Sequence, residues 1–225
     1  MPRSERAVIF DLDDTLYPLE RFVLSGFDAV ASHMAAMFGV DRLEAWTTLL
    51  QAFHNGGRGR ELQICLSRFG LPEAITPSLV GVIRRHQPAL ALPAASHETL
   101  ASLAAGWRIG VVTNGVPDIQ ARKIAALGLA GRIDTVVYAD AFGGGAGKPD
   151  PAPFLEASRR LGVGVNRTVF VGNDPVRDVF GAWRVGMRTI HVAGPGATAA
   201  GAALVADAMV RSLSEVPDVA ARLVA

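Results

Sequence analysis

Hydrophobic and polar positions change their rhythm twice along this chain. The first apolar run, Ala7-Val8-Ile9-Phe10, is short and continuous, with β-branched and aromatic side chains, and reads as a buried strand. Residues 17 to about 90 then carry apolar side chains at helical spacing with no strand pattern. A helix over 19–38 stops at Gly39, a favourable C-cap. Asp41 with Glu44 three residues on has the form of a capping box and opens a helix to about Phe53. A third helix over 61–69 is ended by Gly70, and Thr76-Pro77 opens a fourth to about Arg85. From there on helix and strand alternate. Ser96, as N-cap, opens a helix to Ala105; strands follow over 107–113, 133–138, 168–171, 188–192 and, briefly, 208–210. Helices fall between them over 117–127, 151–161 and 175–185, with a terminal helix from about Ser214.

Steady alternation implies an α/β fold, a Rossmann-like parallel sheet covered by helices on both faces. Residues 1–16 and 91–225 are expected to form this core, and 17–90 an inserted four-helix domain. The insertion leaves the sheet directly after the first strand, so it is expected to lie over that strand's C-terminal end, where a lid would sit.

Composition narrows the class. The chain has 225 residues, half of them hydrophobic, and a formal net charge of +1, which suits a globular protein and argues against charge-driven binding of nucleic acid. The apolar stretches are too short for a signal peptide or a membrane span, so no membrane partner is expected. A single cysteine, Cys65, permits no internal disulfide and fits a reducing cytoplasm; its helical surroundings read as core. No internal repeat is visible, and the only biased stretch is a small Ala/Gly run at 193–206. The basic residues are Arg except Lys123 and Lys148, which makes each lysine notable.

The candidate chemistry sits at strand ends. Asp11 and Asp13 follow the first strand, on the same side of an extended chain. Two carboxylates a few ångströms apart repel, and a divalent cation with oxygen ligands, usually Mg²⁺, is the simplest remedy. Thr113-Asn114-Gly115, Lys148 in GGGAGKPDP, and Asn173-Asp174 with Asp178 one turn on occupy corresponding places after later strands. Each has an ordinary explanation alone: a strand threonine, a solvated lysine, a helix cap. Together at one sheet edge they make a site. The Thr113 hydroxyl and the N–H groups of Asn114 and Gly115 suit a phosphate. Lys148 adds positive charge, and Asn173, Asp174 and Asp178 add oxygen donors that would complete a Mg²⁺ shell with Asp11 and Asp13. An anion pocket beside a metal and two carboxylates points to phosphoryl transfer, with a carboxylate nucleophile that becomes an aspartyl-phosphate. No Gly-x-x-x-x-Gly-Lys-Ser/Thr loop is present, so a nucleoside triphosphate is not indicated.

These residues resemble the haloacid dehalogenase superfamily of hydrolases. DLDDT, VVTNG, GKPDP and VGNDPVRD are similar to its four motifs, in order and over essentially the whole chain, and the helical block resembles the small helical cap of its first subfamily. The resemblance implies Asp11 as nucleophile and metal ligand. Asp13 would be the acid that protonates the leaving oxygen and then the base that activates water, its carbonyl also meeting the metal. Thr113 and Lys148 would hold the phosphoryl group, with Lys148 restraining Asp11, and the acids of the fourth motif would hold Mg²⁺. Asn173 departs from the family's Gly-Asp, leaving open whether Asn173 or Asp174 is the direct ligand.

Within the family, dehalogenases lack an acid at the position of Asp13, because a halide needs no proton. Phosphonoacetaldehyde hydrolases use a cap lysine, and 17–95 contains none. Tyr17-Pro18 resembles a subgroup that includes pyrimidine 5′-nucleotidases. The expectation is a cytoplasmic, Mg²⁺-dependent phosphate monoester hydrolase acting on a small phosphorylated metabolite: a nucleoside monophosphate, a sugar phosphate or a compound of the phosphoglycolate type. The alternatives are a phosphosugar mutase and a weakly catalytic binding module, the latter favoured by Asn173. Arg58 and Arg60 in HNGGRGR are candidate specificity residues, or else solvated helix-start charges. Either a monomer or a homodimer is compatible with the sequence.

Overall fold

The first apolar run forms β1 (Ala7–Phe10), and all four of its residues are fully buried. They are apolar on both faces because the strand lies inside the sheet. The computed structural model describes residues 5–194 and 206–225, so most of the Ala/Gly run lies outside the described residues. Five further strands follow: β2 (Arg108–Thr113), β3 (Thr135–Tyr138), β4 (Thr168–Gly172), β5 (Arg188–Val192) and β6 (Ala208–Val210). Among the described residues they form one sheet, in the order β3-β2-β1-β4-β5-β6. Every pairing is parallel, with Ile9 opposite Gly110 on one side and Phe170 on the other. From β1 the chain builds outward through β2 and β3, then returns to the far side of β1 as β4. Such a reversal opens a crevice at the C-terminal strand ends, where open α/β sheets bind their ligands.

The chain divides into two units, one built from sequence on either side of the other, which spans Leu19–Leu90. The inserted unit is helical: α1 (Leu19–Phe38), α2 (Arg42–His54), α3 (Glu61–Arg68) and α4 (Thr76–Arg85). Phe27, Val30, Met34, Leu49, Leu66 and Leu79 form its own core. Cys65 lies in that core, its thiol pushed up to about 11 by burial, which suits a packing role and not a nucleophile. Asp41 caps α2 by accepting from Glu44 N at 2.7 Å. The Glu44 carboxylate pairs with Arg68 at 2.5 Å and does not close the expected capping box.

In the α/β unit the helices are α5 (Ala94–Ala104), α6 (Pro117–Ala126), α7 (Pro151–Leu161), α8 (Gly181–Arg184) and α9 (Val216–Leu223). α7 buries Phe154, Ala157 and Leu161, spaced three to four residues apart, against Ile9, Val112, Val137 and Phe170. Phe154 and Phe170 meet edge to face at 5.0 Å. Each such side chain contributes about 1.5–3 kcal/mol by leaving water.

Two local expectations are corrected. Ser96 is not an N-cap: the helix starts two residues earlier, and Ser96 Oγ donates to Leu16 O at 2.6 Å. The segment expected as one helix from Pro175 begins as a π-helical turn, Pro175–Phe180, before α8. Wider turns of this kind recur at functional sites, and this one carries Asp178.

Candidate functional site

β1 passes its last ladder bond to Asp11, whose N–H donates to Val171 O at 2.9 Å. The Asp11 side chain then meets Lys148. Lys148 Nζ lies 2.6 Å from Asp11 Oδ1, 2.6 Å from Asp178 Oδ1 and 3.0 Å from Val112 O. Three acceptors match the three protons of an ammonium. The loop that delivers Lys148 is stapled to the end of β2 by Asn114, which accepts from Lys148 N at 2.9 Å and donates to Lys148 O at 3.1 Å. Asp178 accepts from Asp174 N through Oδ2 at 3.0 Å. Its carboxylate lies against Gly172, where an added Cβ would overlap the Asp178 side chain, so only glycine fits.

The electrostatics of this cluster are unbalanced. Two buried carboxylates share one ammonium. Burial is the largest influence on Asp11 and pushes it up from 3.8 to about 7; Lys148 opposes the rise, and Asp178 and Asp13 add to it. Burial works against the Lys148 ammonium, but Asp11 and Asp178 outweigh it and raise its pKa.

Asp13 has a different set of partners. Lys123 Nζ reaches both of its oxygens, at 2.9 and 2.8 Å. Gln120 Nε2 donates to Asp13 Oδ2 at 3.0 Å and to Thr113 Oγ1 at 2.6 Å. Tyr17 OH donates to Asp13 Oδ1 at 2.6 Å, and burial, then the Asp13 charge, hold that phenol well above its ordinary pKa. A tight loop makes the Tyr17 contact possible: Asp14 N donates to Tyr17 O at 2.9 Å, and Asp14 takes φ 58, a left-handed conformation that Asp tolerates better than most residues.

The remaining candidates are placed as follows. Thr113 is buried, accepts from Gln120 and directs its own hydrogen at Asn114 O over a long 3.4 Å. The Asn114 side chain is committed to the Lys148 loop. Asn173 Oδ1 accepts from Thr15 Oγ1 at 3.2 Å, and its main-chain O takes His191 Nε2 at 3.0 Å. Asp174 is a helix cap: Oδ1 accepts from Val176 N at 2.9 Å and Arg177 N at 2.8 Å. Arg58 lies over the Phe53 ring at 4.5 Å, and Arg60 lines a cleft with Thr48, Gln51 and Asn55; both belong to the helical unit.

The residues present fit a hard divalent cation. Among the described residues the candidate metal-binding atoms near Asp11 are oxygens, Asp11 Oδ2 accepts no hydrogen bond, and the cluster holds one carboxylate more than its ammonium balances. Among the described residues no three His, Cys, Asp or Glu side chains converge as a metal cage. The shell would therefore draw on Asp11 and Asp178, the Asn173 amide and the Asp13 carbonyl.

A family profile for haloacid dehalogenase-like hydrolases matches residues 5–186. The chain belongs to that family. Among its relatives, a glyceraldehyde 3-phosphate phosphatase of Methanothermobacter thermautotrophicus is 32% identical over 200 residues, covering 83% of this chain and 85% of that protein. A phosphoglycolate phosphatase of Xanthomonas campestris pv. campestris is 27% identical, covering 84% of this chain and 83% of the relative. A crystal structure of a 2-haloacid dehalogenase from Pseudomonas syringae pv. Tomato DC3000 superposes with a TM-score of 0.66 at 31% identity, covering 96% of this chain and 98% of that one.

The chain thus resembles both phosphatases and a dehalogenase of this hydrolase family, and its Asp13 has a set of partners separate from those of Asp11. Those partners are what the sequence reading missed. Gln120 and Lys123 stand one helical turn apart on α6, which starts four residues after Thr113. The scarcity of lysine singled out Lys123 but assigned it no role.

Proposed function

We propose that the protein is a Mg²⁺-dependent phosphate monoester hydrolase that works through an aspartyl-phosphate on a small phosphorylated metabolite. The observation that carries this reading is the pair of aspartates two residues apart, one bound to Lys148 beside a second carboxylate, the other held apart by Lys123, Gln120 and Tyr17. One is set up as nucleophile and the other for proton transfer. The names of the phosphatase relatives support the substrate class, small metabolites with a terminal phosphate.

In this reading an Asp11 oxygen forms a bond to phosphorus as the ester P–O bond breaks. The electron pair goes to the leaving oxygen, which takes a proton from Asp13. Lys148 and the Thr113 hydroxyl hold phosphoryl oxygens, so charge developing there meets fixed donors. In the second half Asp13 accepts a proton from water as the water oxygen attacks phosphorus. The P–O bond to Asp11 breaks, its electron pair returns to the carboxylate, and inorganic phosphate leaves. Asp11, Asp178, Asn173 and the Asp13 carbonyl would hold Mg²⁺, which when bound would supply charge neutralisation for the approach of two anions.

The 2-haloacid dehalogenase relative favours a second reading, carboxylate attack on a carbon–halogen bond. A departing halide needs no proton, and that reading leaves Asp13 and its three donors without a task. The test is phosphate release from a panel of phosphate esters, with Mg²⁺ and with chelator, beside halide release from a 2-haloacid. We expect Mg²⁺-dependent phosphate release that falls at least about 10³-fold in Asp11→Asn. Halide release without phosphatase activity would overturn the proposal.

A further inference from the structure

We propose that Lys123 is a positioning residue for Asp13, and that Gln120 ties Asp13 to Thr113 so that the proton-transfer group and the phosphoryl grip are held as one unit. The proposal rests on the phosphatase reading and names residues outside the four motifs. Both side chains are nearly fully buried on one face of α6. A buried lysine is costly unless it is paired, and Lys123 is paired to both oxygens of one carboxylate, at 2.9 and 2.8 Å. That contact fixes the direction of the carboxylate as well as its charge.

Gln120 adds a second constraint. Its Nε2 carries two hydrogens, and the two acceptors are Thr113 Oγ1 at 2.6 Å and Asp13 Oδ2 at 3.0 Å. With its oxygen accepting from Gln120 and its own hydrogen engaged only by the long 3.4 Å contact to Asn114 O, the Thr113 hydroxyl can turn to donate, which is what a phosphoryl oxygen requires. A shift of α6 would therefore move the phosphate contact and the proton-transfer group together. Small misplacements of this kind are expensive in rate.

The role makes a distinction that simple destabilisation does not. Protonation of the leaving oxygen matters in proportion to that oxygen's basicity. An alkyl phosphate must expel a strongly basic alkoxide, whereas 4-nitrophenyl phosphate expels a stable phenolate. Loss of Asp13 positioning should therefore harm the alkyl ester more. The experiment compares kcat/KM for 4-nitrophenyl phosphate and glycerol phosphate in wild type, Lys123→Met, Lys123→Arg and Gln120→Met, each checked for folding by its melting temperature.

We expect the alkyl-to-aryl ratio to fall at least about tenfold in Lys123→Met and to recover in part in Lys123→Arg. Gln120→Met should lower activity on both esters through Thr113 and lower the ratio as well. Equal losses on the two esters in folded variants overturn the proposal. If Lys123→Met does not fold, Gln120→Met and Lys123→Arg decide, and an unchanged ratio in both overturns it. Absence of turnover on either ester in wild type overturns the phosphatase reading and this proposal together; turnover with an unchanged ratio overturns this proposal alone.

Discussion

The chain's two lysines sit 25 positions apart in sequence, and each binds one of two aspartates that are two residues apart. Lys148 has two carboxylates around it, both nearly fully buried. Lys123 pairs with the Asp13 carboxylate, which is partly exposed and has Gln120 and Tyr17 as further donors. The first cluster has more negative charge than its cation balances, and burial, with Asp178 adding to it against Lys148, raises the pKa of Asp11 to about 7. The second has donors on both oxygens of its carboxylate. Two similar-looking ion pairs thus differ in their balance: one leaves a carboxylate in excess of its ammonium, and the other surrounds a single carboxylate with donors.

The largest expected effect comes from removing the overloaded lysine. Lys148→Met leaves Asp11 and Asp178 buried with no counter-ion between them, and breaking a buried pair on one side typically costs about 3–5 kcal/mol. Phosphatase activity should fall by at least about 10³-fold with it, because the same ammonium faces the phosphoryl group in the proposed reaction. Lys123→Met should cost clearly less stability, since Asp13 keeps Gln120, Tyr17 and access to water. Chemical denaturation of the two variants measures the difference. A loss in Lys148→Met no larger than in Lys123→Met would break the distinction between the clusters.

A cation should act on the first cluster in a pH-dependent way. The pKa of Asp11 in the fold is about 7, above its ordinary 3.8. The folded chain therefore holds a proton that the unfolded chain has released, over the window from about pH 4 to 7. The stability Asp11 contributes is present at the acid end of that window and is lost as pH rises through it. Mg²⁺ competes with that proton, so it should stabilise the protein more at pH 8 than at pH 5.5. At a hundredfold excess over its dissociation constant a ligand adds about 2.7 kcal/mol, a rise of several degrees in Tm for a chain of this size. Equal Tm shifts at the two pH values would show that Mg²⁺ does not meet Asp11.

The contrast between the clusters was only half visible in the sequence. Asp11, Lys148 and Asp178 follow strands or open helical turns, and strand ends are readable because Gly and Pro punctuate them. The parallel sheet and the inserted helices were legible for the same reason. The partners of Asp13 were not, because Gln120 and Lys123 lie 107 and 110 residues away and meet it only through the rotational phase of α6. Helix phase is set by packing, which no local pattern records. The same holds for Ser96, which a capping rule assigns locally but which the fold uses to hold Leu16 O. It holds too for Arg58, whose loop position hides its contact with Phe53.

The smallest effect decides where the Asp11 cluster ends. Asp174 and Asp178 are both acids of the fourth motif, and composition cannot tell which one faces the cation. The geometry separates them: Asp178 binds Lys148, whereas Asp174 turns Oδ1 to the N–H groups of Val176 and Arg177. Asp174→Ala should then behave as the loss of a helix cap, costing about 1 kcal/mol. The Mg²⁺ affinity read from thermal titration should stay within about twofold of wild type once that lower stability is allowed for. Asp178→Asn should weaken Mg²⁺ by much more, since it removes a charge from the cluster itself. Were Asp174→Ala to weaken Mg²⁺ as much as Asp178→Asn does, Asp174 would belong to the metal shell, and its capping bonds would have to give way when the cation binds.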